Sequence, residues 1–296
     1  MPPHRITDTT EQLSQTLPMT TRPDWSDGYV TDILYTTGYY RELSPLYLDF
    51  VAALYGRDMG ARNRTHQSYC ELGFGQGVSF AIHAAANPGR FHGIDFIPQH
   101  VTGAAAMLDG VATDRVSLSD ASFEEMAAER DGGQFDYICS HGVLSWVSEK
   151  NQDHICRIIG NRLKLPGTVY MSYNAEPGWS ASAPLRQLLH IHQRYFGHPG
   201  QSANERAVAA LAFAKSLVAA DAQYFKQYPV VAERLERIST QNVSYLLHEY
   251  LNEDWKPQYF AQVAERLSAH KLEFLGSANV FSTVQAINYT AQGAEL

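Results

Sequence analysis

Cysteine is scarce in this chain: 296 residues contain three, Cys70, Cys139 and Cys156. An odd and small count excludes a disulfide framework and fits a reducing compartment. Cys70 and Cys139 fall inside apolar runs, where a small buried hydrophobe is the expected role. Positive charge is also short. Against 31 aspartates and glutamates stand 23 lysines and arginines, a formal net charge of -8. Such a balance disfavours a phosphate backbone as the main partner, so no nucleic acid is expected. Long apolar runs are missing too. The most apolar helical stretch, 207–220, is interrupted by Lys215 and is too short to span a bilayer. The segment up to about Ser26 is polar and threonine-rich, without the apolar core of a secretory signal. A cytoplasmic protein with no membrane partner is therefore expected. His190, His192 and His198 lack metal-ligand spacing, because an i, i+2 pair does not share a helix face and no acid is suitably placed. No metal site is predicted.

What is present is an ordinary globular composition, 45% hydrophobic and 18% charged. Residues 1–28 read as a flexible tail. The chain then turns aromatic, with Tyr35, Tyr39 and Tyr40 followed by a helix on which Leu46, Phe50 and Leu54 share a face, Ser44 is the N-cap and Pro45 the first helical residue. Strands and helices alternate next, the pattern of a parallel sheet. Strands are expected at 68–72, 91–94, 116–118, 135–140 and 168–173, with helices through 86, over 101–109 and over 149–162. From 177 to 251 the periodicity is helical. A helix over 257–269 and strands at 272–275 and 281–287 close the chain. The expected organisation is a doubly wound α/β core with its N-terminal lid (29–175), a helical insertion after the fifth strand (176–255), and a return to the core sheet (256–296).

The sharpest signal is Glu71-Leu72-Gly73-Phe74-Gly75-Gln76-Gly77, directly after a strand and opening a helix. Glycines there allow a tight turn and close backbone approach, and the helix N-terminus offers unpaired N–H groups. The spacing is G-x-G-x-G. Val78 occupies the place where a dinucleotide fingerprint needs its third glycine, and no G-K-[ST] follows, which excludes a P-loop. Glu71 would repel a pyrophosphate, but it suits the cationic amino group and sulfonium of S-adenosylmethionine (SAM). The second strand ends in Asp95, where a carboxylate can accept ribose hydroxyls, with Phe96 beside it. After the third strand come Asp120, Ala121 and Ser122, placed to meet an adenine.

These segments resemble the bacterial SAM-dependent methyltransferases of the Rossmann-like class, and specifically the group with a helical methyltransferase regulatory domain. The resemblance rests on Tyr69-Cys70-Glu71-Leu72-Gly73, Gly93-Ile94-Asp95, and His141-Gly142-Val143-Leu144-Ser145-Trp146-Val147. Ser172-Tyr173-Asn174 with Pro177-Gly178-Trp179, and His248-Glu249-Tyr250-Leu251, complete it. Bacterial protein lysine methyltransferases are similar to this group. The resemblance implies SAM as cofactor, held by Glu71, Gly73, Phe74, Gly75, Gly77, Asp95, Phe96, Asp120, Ala121, Ser122, Ser140 and His141; the Tyr35, Tyr39, Tyr40 cluster is expected to cover it as an N-terminal lid, with Tyr35 and Tyr39 in contact.

Methyl transfer is an in-line displacement, so holding two reactants in line and excluding water matter more than a strong acid–base pair. The fourth and fifth strand ends converge on the donor methyl in this topology. His141 is the best base candidate, and Tyr173 and Asn174 are the companions expected at the acceptor. The absence of N/D-P-P-Y/F after the fourth strand disfavours planar-amine chemistry. The expected acceptor is nitrogen or oxygen of a protein side chain, lysine among them, or of a small metabolite. A SAM-binding regulatory pseudoenzyme acting through a protein partner is the alternative. Neither the acceptor nor the oligomeric state is legible here.

Overall fold

The computed structural model describes residues 37–295, apart from 58, 60–63, 111–113, 130–131, 199 and 253. The expected tail and Tyr35 lie outside the described residues.

Strand β1 (Ser68–Leu72) is almost wholly buried and alternates its side chains between two apolar layers. Tyr69 faces one layer with Tyr137, Phe91, Phe80, Ala84 and Leu48, while Cys70 and Leu72 face the other with Ile138, Met126, Ile155, Ile158 and Ile159. A strand covered on both faces needs helices on both sides, which is what β–α alternation provides. Around β1 lie β2 (Arg90–Asp95), β3 (Val116–Asp120), β4 (Phe135–Ser140) and β5 (Leu163–Met171), paired in parallel in the order β3-β2-β1-β4-β5. Helices α1 (Pro45–Leu54), α2 (Val78–Ala86) and α3 (Pro98–Met107) contribute to the first layer, and α4 (Phe123–Ala128) and α5 (Glu149–Arg162) to the second. The fold is the expected doubly wound sheet, with the strand order reversing between β1 and β4. Ligands of such sheets bind in the crevice outside the carboxyl ends of the strands at that point.

After β5 come a two-residue strand, β6 (Ala175–Glu176), and helices α6 (Ala183–Phe196), α7 (Ala203–Ala219), α8 (Gln223–Gln227), α9 (Pro229–Ser239) and α10 (Val243–Tyr250). These helices share a separate apolar cluster built on Leu185, Leu189, Ala210, Leu235, Leu247 and Tyr250. The chain then pairs β7 (Gln258–Tyr259) in parallel with β6 and enters α11 (Phe260–Ser268). Arg266 of α11 donates to the Gln152 side chain on α5 at 2.6 Å. No helix of the described residues is long and apolar enough to cross a membrane.

Three local expectations need correction. Ser44 and Pro45 do open α1, but Leu46, Phe50 and Leu54 are about half exposed; Leu48, Val51 and Ala52 are buried instead. Their i, i+4 spacing identifies a face without saying which face is inside. Strand β5 begins at Leu163, straight after α5, because Leu163 pairs with Phe135 before residues 164–167 bulge and pairing resumes at Thr168. Finally, 272–275 and 281–287 are not strands. Residues 272–277 are irregular, Val280–Thr283 is a 3₁₀ turn and 285–288 a short helix, α12 (Gln285–Asn288), before α13 (Ala291–Ala294). Phe274, Phe281 and Ile287 are each about 60% exposed. Among the described residues these β-prone segments pair with no strand, and local bonds such as Ser282 N–H to Asn279 O serve part of the backbone. Tyr47 fastens the segment to α1 by donating its hydroxyl to Ala278 O at 2.7 Å.

Candidate active site

A cavity of about 370 Å³ opens along the carboxyl edge of the sheet, at the reversal between β1 and β4. Its floor is the glycine turn. Gly73, Gly75 and Gly77 all have positive φ, the region an L-residue resists. At Gly73 a side chain would also meet Val143, since a Cβ there would lie 2.7 Å from Val143 Cγ2. Helix α2 starts straight from this turn, so its first N–H groups, at Val78 and Ser79, belong to residues that line the cavity.

Asp95 braces the turn. One carboxylate oxygen accepts the Gly75 N–H at 2.8 Å; the other accepts the Ile97 N–H at 3.0 Å and lies 3.1 Å from His100 Nδ1. Asp95 and His100 are both buried at the cavity wall. A carboxylate has about four acceptor positions, so three internal contacts leave capacity for a ligand.

Glu71 is also buried and accepts a bond from the Tyr69 hydroxyl at 2.8 Å. Burial pushes its carboxyl up to about 8, against the Tyr69 bond that favours the charged form, and the nearby Asp95 charge adds to the rise. The ordinary value is 4.5. Between these limits the folded protein holds a proton that the unfolded chain has released, so this group's contribution to stability falls as pH rises through the window. Glu71→Gln keeps the acceptor for Tyr69 and removes the titration. Its melting temperature should therefore gain on wild type steadily from about pH 5 to pH 8 in the ligand-free protein. A constant difference across that range would show that Glu71 is not held protonated.

The wall beside β4 and β5 is aromatic. His141, just past β4, stacks on Tyr40 at 3.9 Å between centroids, and its Nδ1 lies 3.0 Å from the Tyr170 hydroxyl and 3.2 Å from Ser172 Oγ. Burial lowers the imidazole's pKa against the opposing Glu42 charge, which keeps it neutral near pH 7. With Nδ1–H donating to Tyr170 or Ser172, Nε2 is the basic nitrogen. Tyr173 and Asn174 line the same end; the Asn174 backbone is fixed by donating to Ser145 Oγ at 2.8 Å and accepting from Gln258 N–H at 3.0 Å. From the helical side, α10 brings His248 and Glu249 to the cavity. Trp146 lines it as well, and Trp146, Trp255 and Trp179 run in ring contact to the Arg234 guanidinium, 3.7 Å over Trp179.

Of the residues expected from sequence, the cavity gathers Glu71, Gly73, Phe74, Gly75, Gly77, Asp95, Phe96, Ala121, Ser122, His141, Tyr173 and Asn174. Three fall outside its lining. Asp120 is exposed at the end of β3; Ser140 is buried, donating to Leu72 O at 3.3 Å; Tyr39 is half exposed against His83. Ser122 also caps α4, accepting the Glu125 N–H. Tyr40, and not Tyr39, turns inward, held by its N–H to Ser79 Oγ at 2.8 Å. His100 was not singled out from sequence, and Ser172 and Glu249 were marks of the family resemblance without a site role. For His100 the signal was present: a histidine five residues beyond the strand-end acid, on the first turn of the next helix.

Comparisons with known proteins agree with this geometry. A methyltransferase-domain family model matches residues 63–207, and a model described as a predicted methyltransferase regulatory domain matches residues 242–296. An uncharacterized protein of Synechocystis sp. is 38% identical over 269 residues, 90% of this chain and 52% of that protein. An uncharacterized protein of Rickettsia prowazekii is 26% identical over 252 residues, 84% of this chain and 44% of that one. The chain thus spans about half the length of these two relatives. The solved structure of PKMT2 from Rickettsia typhi in complex with AdoHcy superposes with a TM-score of 0.73 at 26% identity, over 88% of this chain and 49% of that one. The sheet order, the glycine turn and both family models agree: the chain carries a Rossmann-like methyltransferase domain followed by a match to the methyltransferase regulatory domain.

Proposed function

We propose that the chain binds SAM in this cavity and transfers its methyl group to nitrogen or oxygen of a protein side chain or small metabolite. The observation that carries this reading is the charge of the wall. The carboxyls of Glu71, Asp95 and Glu249 line it, Glu71 being neutral until a bound cation favours its charged form, and no lysine or arginine does among the described residues. Such a wall opposes a pyrophosphate and favours a ligand with a sulfonium and an ammonium. The volume falls in the usual range for small-molecule sites. Similarity to PKMT2, whose structure holds the demethylated cofactor AdoHcy, supports the same ligand here.

In this reading Glu71, Gly73, Phe74, Gly75, Gly77, Asp95, Phe96, Ala121 and Ser122 hold the cofactor. When bound, SAM supplies an electrophilic methyl group. His141 Nε2 takes the proton of the acceptor, and Tyr173 and Asn174 position it. Helix α10, backed by the cluster it shares with α6 to α9, forms the acceptor wall and excludes water. Because similar bacterial enzymes methylate protein lysine, a lysine side chain is the acceptor to test first. Calorimetry with SAM, S-adenosylhomocysteine and NAD tests the cofactor: the first two should bind and NAD should not. Tight NAD binding with none for the other two would end this reading.

A further inference from the structure

We infer that His100 is a cofactor-binding residue that accepts one ribose hydroxyl on Nε2 while Asp95 takes the other, an inference that rests on the SAM-binding reading above. His100 stands on the first turn of α3, where its backbone N–H donates to Ile97 O at 2.9 Å. Its side chain is 3% exposed and lines the cavity with Asp95.

Where the hydrogens lie decides what each atom can do. Asp95 Oδ1 accepts the Ile97 N–H at 3.0 Å and lies 3.1 Å from His100 Nδ1, while Oδ2 accepts the Gly75 N–H at 2.8 Å. An ionised carboxylate has about four acceptor positions, so about one is left, on Oδ2. A ribose brings two hydroxyls, and the second needs another acceptor. Because an ionised carboxylate offers no hydrogen, His100 Nδ1 carries the one between them. In the neutral ring that assigns the lone pair to Nε2. Nε2 is buried and has no hydrogen-bond partner among the described residues. A buried acceptor left without a donor is costly, and the cavity that this ring lines is where a ligand can bring one.

The test is calorimetry of S-adenosylhomocysteine and its 2′-deoxy and 3′-deoxy analogues on the full chain, wild type and H100N. Asparagine can place its amide nitrogen where Nδ1 stood and so keep the donor to Asp95, but it has no counterpart of Nε2. Wild type should bind each deoxy analogue about tenfold more weakly than S-adenosylhomocysteine. H100N should bind S-adenosylhomocysteine about tenfold more weakly than wild type does. It should also cease to distinguish S-adenosylhomocysteine from one analogue while still losing affinity for the other, whose missing hydroxyl is the one Asp95 accepts. A wild type that loses affinity with only one analogue, or with neither, would overturn the inference without any variant having to fold. So would an H100N that keeps both losses, the result expected if Nε2 holds a water instead. Failure of wild type to bind S-adenosylhomocysteine at all would overturn the cofactor reading, and this inference with it.

Discussion

Asp95→Ala should lower affinity for S-adenosylhomocysteine by at least about tenfold, the loss of one charge-assisted hydrogen bond at about 1.5–3 kcal/mol being sufficient. The expected loss exceeds that of a ligand contact alone, because Asp95 has two duties. Its carboxylate accepts the Gly75 N–H and so sets the shape of the glycine turn before any ligand arrives. It also accepts the Ile97 N–H and meets His100, which fixes the entry to α3. Removing it leaves buried donors without an acceptor, at about 1–3 kcal/mol for each one that water does not reach. Asp95→Asn separates the duties: its amide oxygen can still serve Ile97, while its NH₂ opposes the Gly75 N–H. Calorimetry and thermal melts of both variants should show Asn retaining more stability than Ala, with both impaired in binding. Wild-type affinity in Asp95→Ala would mean that the ligand does not depend on this strand end.

Gly77→Ala should cost about 3 kcal/mol of folding stability, or several degrees in melting temperature for a chain of this size. Two terms add. Gly77 has φ +75°, and an L-residue there costs about 1–2 kcal/mol. In addition, its new Cβ would lie 2.6 Å from Ala104 Cβ on α3, well inside the 3.5–4.0 Å of a good carbon contact. Neither atom sits at the end of a flexible side chain, so α2 and α3 must move apart. Both helices rest on the apolar layer with Tyr69 and Phe80, and the strain spreads into the core. Gly75→Ala is the control, since its Cβ would meet nothing within 4 Å and only the φ +58° term remains. Chemical denaturation should rank wild type above Gly75→Ala above Gly77→Ala. Equal destabilisation by the two would remove packing between α2 and α3 as the reason for this glycine.

The parts of this molecule that were legible in sequence are those decided locally. Strands β1 and β4 and helix α5 could be bounded to the residue because each is a short apolar run or an amphipathic repeat ended by clear punctuation: the glycine turn, Ser140-His141-Gly142, and Ser148 as an N-cap that accepts the Asn151 N–H. The acid-led turn was legible for the same reason, since glycine at positive φ is a local demand. What depended on a distant partner was not. Leu46, Phe50 and Leu54 make as good a helical stripe as Leu48, Val51 and Ala52, and only the position of the sheet decides which is buried. Residues 272–275 and 281–287 have strand-like composition, but a strand requires a neighbouring edge. Glu249 reaches the cavity from a helix more than a hundred residues beyond β4 along the chain; no spacing rule announces such an arrival.

The central claim is that one cavity, floored by the glycine turn and walled by α10, holds a methyl donor with its reactive end toward His141 and Glu249. A crystal structure of the full chain with S-adenosylhomocysteine tests it most directly. The account predicts the ribose beside Asp95, the amino group beside Glu71, and the sulfur facing His141 with α10 closing over it. A nucleoside lying elsewhere, or a sulfur open to solvent with α10 far from it, would contradict the account.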